Sequence, residues 1–156
     1  MAQRPGFDLS RLSTASKILM GAGLLYFIDL FLPWQHACVS FGPASFCGSR
    51  TGWHGWGLIA GILVILVLLM EGITLANVEV NMGTPMMRNQ IEAGIAGGVL
   101  LFSIIKIIAD HRSFYFWGWI GLVLAVIIAY GGYMRWTEAS VTTPPPAPPS
   151  GGGFAP

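Results

Sequence analysis

Four ionisable residues stand inside otherwise apolar runs: Asp29, Glu71, Glu92 and Lys106. Charge in lipid is costly enough that such residues pair, line an ion path or mark a site. Asp29 lies four residues before Pro33 and Lys106 three residues before Ala109, the ends of two such runs, so the two should share a depth and form an intramembrane ion pair, with Asp110 as a competing partner one turn after Lys106. Glu71 and Glu92 fall near the opposite ends of their runs, where Glu71 can reach toward headgroups and Glu92 can sit at the positive N-terminal end of a helix. The alternative joins Asp29, Lys106 and Glu71 into a proton or ion path, but they lie at only two depths with nothing to bridge the apolar middle.

The second chemical cluster is the polar segment 34–55. It holds the only two cysteines, Cys38 and Cys47, flanked by His36 and His54. A disulfide closing a short loop is the leading expectation, given an oxidising compartment. His-x-Cys, eight residues, Cys, six residues, His would also supply two nitrogen and two sulfur ligands of a kind suited to zinc, although the spacing is not that of a finger. No nucleophile elbow, phosphate loop or zinc-protease helix motif is present, and His36, His54 and His111 all fall at helix ends, so neither catalysis nor a cofactor is expected.

The elements that must position these groups follow from composition. The 156 residues are 54% hydrophobic and 10% charged, with 8 basic and 7 acidic side chains, where soluble domains carry roughly 25% charge. So little charge cannot cover a soluble surface at this length, and the net charge of +1 offers nothing to nucleic acid. Apolar stretches at 17–33, 56–76, 91–109 and 114–133 each approach the roughly 20 residues a helix needs to cross a bilayer. They are continuous rather than alternating, which excludes a transmembrane barrel. The expected fold is an all-α bundle of four transmembrane helices, preceded by an N-terminal segment 1–16, with an outer loop 34–55 and a tail 137–156.

Arg4, Arg11, Lys17, Arg88 and Arg135 fall on one side of this scheme, against Arg50 and Arg112 on the other, which places both termini in the cytoplasm of a cell-membrane protein. The first span has no cleavage site after it and should remain as an anchor. Trp34, Trp53, Trp56, Trp117, Trp119 and Trp136 are expected at the membrane interfaces. Gly57 and Gly61, Gly94 and Gly98, and Gly121, Ala125 and Ala129 recur every fourth residue, so each of three helices should offer a smooth strip for close packing, within the bundle or against other subunits. From Thr142 the Pro- and Gly-rich tail can bury almost nothing and should be a disordered tether; Pro145 to Pro148 satisfies a bare Pro-x-x-Pro pattern.

The strings Phe7-Asp8-Leu9-Ser10-Arg11-Leu12, Phe31-Leu32-Pro33-Trp34, Gly52-Trp53-His54-Gly55-Trp56-Gly57, Trp117-Gly118-Trp119-Ile120-Gly121-Leu122 and Tyr130-Gly131-Gly132 resemble those of small bacterial four-span membrane proteins of unassigned function. The resemblance implies a fold and a location, and no activity. Trp34 followed by Cys38 and Cys47 is also similar to the first outer loop of claudin-like tetraspans, but Leu32-Pro33-Trp34 replaces their Gly-Leu-Trp and the loop is shorter than theirs. Together these readings point to a non-enzymatic structural or accessory protein, whose partners are the bilayer and other membrane proteins or itself. The alternative is a small ion or solute transporter or channel using Asp29 and Lys106.

Overall fold

A computed structural model describes residues 12–76, 85–111 and 115–141. Among them are four helices and one hairpin: α1 (Thr14–Asp29), β1 (Pro33–Phe41), β2 (Ala44–Thr51), α2 (Trp56–Leu75), α3 (Pro85–Asp110) and α4 (Phe116–Val141). Ser13 caps α1 by accepting the Ser16 N–H at 3.3 Å. Pro85 opens α3, where its missing N–H costs nothing. Each helix packs on its sequence neighbours, and α4 closes the ring on α1. The start of α3 meets the ends of α2 and α4 through Arg88 and Asn89, and the end of α3 meets the start of α2 through Lys106, so successive helices run antiparallel. The bundle therefore has a hairpin end and a terminal end.

The core is narrow. Leu19, Tyr26, Val64, Val67, Ala96, Val99, Ala125 and Ile128 are fully buried between the helices. Leu24, Leu58, Ile62, Leu66, Leu69, Leu101, Ile108, Val123 and Val126 point outward and are exposed. Helices apolar on both faces belong in lipid, because water would charge for the outer one. Three helices are long and apolar enough to cross a membrane, Trp56–Leu75, Met87–Asp110 and Phe116–Glu138. α1, with 16 residues, falls short of them.

Several boundaries differ from those expected. α1 stops at Asp29, not at Pro33: Phe31 and Leu32 donate backbone bonds to Ile28 and Asp29 in a closing turn, and proline then forces extended backbone. α3 begins six residues earlier than residue 91, and α4 runs eight residues past 133, so the first five residues assigned to the tail are helical. The remaining tail, 142–156, with its Pro-x-x-Pro pattern, lies outside the described residues, as do 1–11.

The segment expected as an outer loop is a β-hairpin. Its strands alternate: Ala37, Val39, Phe41, Ala44, Phe46 and Gly48 share one face, and His36, Cys38, Ser40, Ser45, Cys47 and Ser49 the other. Gly42, at φ 62°, supplies the positive φ that a two-residue hairpin turn needs at its first central position, and Pro43 suits the second.

Candidate functional site

Polar side chains enter the bundle at three levels. At the hairpin end, Lys106 is fully buried. Its Nζ donates to the His54 carbonyl at 2.7 Å and to Asp110 Oδ2 at 3.3 Å, and lies 5.9 Å from the centre of the Trp34 ring. It does not pair with Asp29. Asp110 stands one turn along the same helix, and the loop entering α2 brings the His54 carbonyl to it, so the ammonium is satisfied before it reaches α1. Asp29 is instead walled in by Trp34, which folds back after the proline turn, donates its indole N–H to the Asp29 carbonyl at 3.0 Å and fills the space over Gly121. Asp29 is 3% exposed, and neither of its buried carboxylate oxygens makes a hydrogen bond among the described residues.

Just below, the Tyr26 hydroxyl and Ser103 Oγ are 2.7 Å apart, and Ser103 also donates to the Val99 carbonyl at 2.8 Å. No sequence signal singled out this pair, because a lone serine in an apolar helix can always bond its own backbone.

The third level is at the terminal end. Arg135 Nη2 lies 3.3 Å from Glu71 Oε1, its Nε donates to Glu92 Oε2 at 3.3 Å, and its Nη1 donates to Ser13 Oγ at 3.3 Å. The Glu71 approach is off hydrogen-bond alignment, so both of that residue's oxygens remain without a hydrogen bond. Glu71 and Glu92 are fully buried, which overturns the two separate roles expected of them. Glu71 turns inward rather than toward headgroups. Glu92 stands almost two turns inside α3, beyond the reach of the helix's N-terminal charge. The common depth of these acids and Arg135, at the ends of three adjacent spans, was the signal available for this cluster.

Between the second and third levels the described interior is apolar. Ser103 and Glu92 are eleven residues apart on α3, about 16 Å at 1.5 Å per residue, and that interval is filled by Leu19, Ala22, Val64, Val67, Ala96, Val99 and Ile128.

Cys38 and Cys47 face each other directly across the hairpin and form a disulfide, with 4.0 Å between their Cα atoms. The described residues contain no group of three or more His, Cys, Asp or Glu side chains placed to hold a metal. His36 packs on Tyr115, its ring 5.0 Å away, and His54 contributes its carbonyl to Lys106. Every residue from His36 to Thr51 is exposed, including Val39, Phe41 and Phe46 at 52%, 71% and 69%.

The small residues divide by what they meet. At Gly57 a side chain would strike the Gly52 carbonyl, at Gly61 the Trp53 ring 2.6 Å away, at Gly98 Leu63 at 3.0 Å, and at Gly121 both Trp34 and, at 2.6 Å, Asp29 Oδ2. Ala125 is buried and Ala129 half-buried. Gly94 faces open space, so α3 packs through Gly98 and not through the pair expected. Gly131 and Gly132, against Leu19 and Ala96, are close contacts that the fourfold spacing missed. Trp34 also departs from expectation: it belongs to the core, whereas Trp56, Trp119 and Trp136 stay exposed as interface residues would. No protein family, curated protein or solved structure matches this chain.

Proposed function

We propose that this chain is a four-span, non-enzymatic accessory protein of the cell membrane, which holds its hairpin out as a contact surface for the extramembrane part of another membrane protein. The observation that carries the reading is the hairpin itself: sixteen consecutive exposed residues from His36 to Thr51, covalently pinned by Cys38–Cys47, with three large apolar side chains on one face, each more than half exposed. Isolated two-stranded hairpins are marginal in water. A crosslink that keeps one in shape, away from the core, supports recognition more readily than stability.

Orientation follows from two supports that agree. Lys17, Arg88 and Arg135 lie at the terminal end, and a disulfide persists in an oxidising compartment; both support a reading with the hairpin outside and the termini in the cytoplasm. α1 then crosses as the shortest span. The apolar core between Ser103 and Glu92 among the described residues disfavours the transporter reading, because it offers a proton or ion little to bind.

A photoreactive residue placed at Phe41 or Phe46 in native membranes tests the proposal. The expected product is an adduct to one recurring membrane protein, lost when Val39 and the remaining phenylalanine are replaced by serine. Adducts to lipid alone, or ion flux from the purified chain in vesicles, would overturn it.

A further inference from the structure

The cluster at the terminal end carries an inference independent of the hairpin's role. Two fully buried carboxyl groups, Glu71 on α2 and Glu92 on α3, face each other, and one guanidinium from α4 serves both at 3.3 Å. From α1, Ser16 borders Glu71, and Ser13 accepts from Arg135. The charged groups that face Glu71 among the described residues are therefore Glu92 and Arg135. The next cation, Arg88, is committed to the end of α2, donating to the Met70 carbonyl at 3.0 Å and to Thr74 Oγ1.

The hydrogen-bond account does not close with both acids ionised. Glu71 Oε1, Glu71 Oε2 and Glu92 Oε1 are buried without a hydrogen bond among the described residues. Two carboxylates against one guanidinium also leave a net negative charge at a fully buried position. Either defect is expensive in a medium that cannot solvate it. One proton removes the surplus charge and brings two of the three oxygens into a hydrogen bond, the third being able to stay beside Arg135. A carboxylic acid on one residue donates O–H to a free oxygen of the other, and the remaining carboxylate balances Arg135.

We propose that Glu71 and Glu92 form a proton-binding site, in which a single proton is held between the two carboxyl groups and Arg135 neutralises the charge that is left. Release of the proton, from one acid and one carboxylate to two carboxylates and H⁺, leaves like charges in contact between α2 and α3. The site thus ties the closure of the bundle's terminal end to proton occupancy. The proton belongs to the pair rather than to either residue.

Infrared spectroscopy of the full chain in phosphatidylcholine vesicles at neutral pH reads the protonated acid directly. The expected spectrum contains a carboxylic-acid carbonyl component that disappears in Glu71→Gln and in Glu92→Gln and persists in Asp29→Asn. In thermal unfolding, the wild type should lose stability at alkaline pH relative to Glu71→Gln, whose amide keeps a donor without a titrating proton. Should a variant not fold, isotope-labelled glutamate in the wild-type chain asks the same question without substitution. A spectrum with no glutamic-acid component at neutral pH overturns the proposal. Stabilisation by Na⁺ over choline at fixed pH also overturns it, since it would make the cluster a cation site.

Discussion

Gly121 shows how closely single residues govern this bundle. A methyl group there would press on the Trp34 ring and on Asp29 Oδ2, both buried and neither free to retreat. Gly121→Ala should therefore lower stability by about 1–3 kcal/mol, the usual penalty for overpacking. Gly94→Ala, with nothing within 4 Å of the new methyl, should be neutral or stabilising by up to about 1 kcal/mol, because alanine costs the helix less entropy. Thermal unfolding of the two variants in the same lipid checks the contrast, and equal effects would mean that the Trp34 seat has been misplaced. The sequence marked both glycines by spacing alone. Spacing identifies a helix face, but not whether a neighbour covers it. Lys106 and Asp29 teach the same lesson: equal depth is readable from span ends, while the choice of Asp110 and the His54 carbonyl depends on where the loop before α2 travels.

Among the elements, the hairpin was the least legible. Its glycines and serines read as a polar loop, because the alternation of Val39, Phe41 and Phe46 with Ser40, Ser45 and the cysteines is short and has no core to face. The disulfide acts on this element and not on the bundle. In the chain-entropy account a loop of this size is worth about 2–3 kcal/mol, all of it local, since the hairpin beyond Gln35 shares no buried core with the helices. Replacing both Cys38 and Cys47 with serine should therefore speed proteolytic cleavage near Gly42 several-fold while leaving the thermal transition of the helices nearly unchanged. A matching fall in that transition would show that the hairpin supports the bundle. α1, by contrast, was readable as apolar, but its length was not. Hydropathy continues through Phe31 and Leu32, whereas the helix ends where the chain turns to deliver Trp34 to the core.

As a whole molecule, the bundle has helices of unequal length. α1 spans about 24 Å at 1.5 Å per residue, less than a hydrocarbon core of roughly 30 Å. If α1 crosses, as proposed, the bilayer must thin locally to match it. The chain should accordingly unfold at a higher temperature in short-chain than in long-chain phosphatidylcholine vesicles. An optimum in the thicker bilayer would argue that α1 does not cross. Charge scarcity and four continuous apolar runs were enough to specify apolar helices suited to lipid, because the solvation of each segment is a property of its own residues. The two cysteines were enough to suggest their bond, since they are the only pair and lie close in sequence. Which buried charges meet was decided only by the tertiary structure. Arg135 joins Glu71 and Glu92, Lys106 takes Asp110 and the His54 carbonyl in place of Asp29, and the polar segment pairs with itself. Each outcome depends on distances between residues far apart in the chain, set by how the helices turn about their axes when they pack, and no local pattern encodes that rotation.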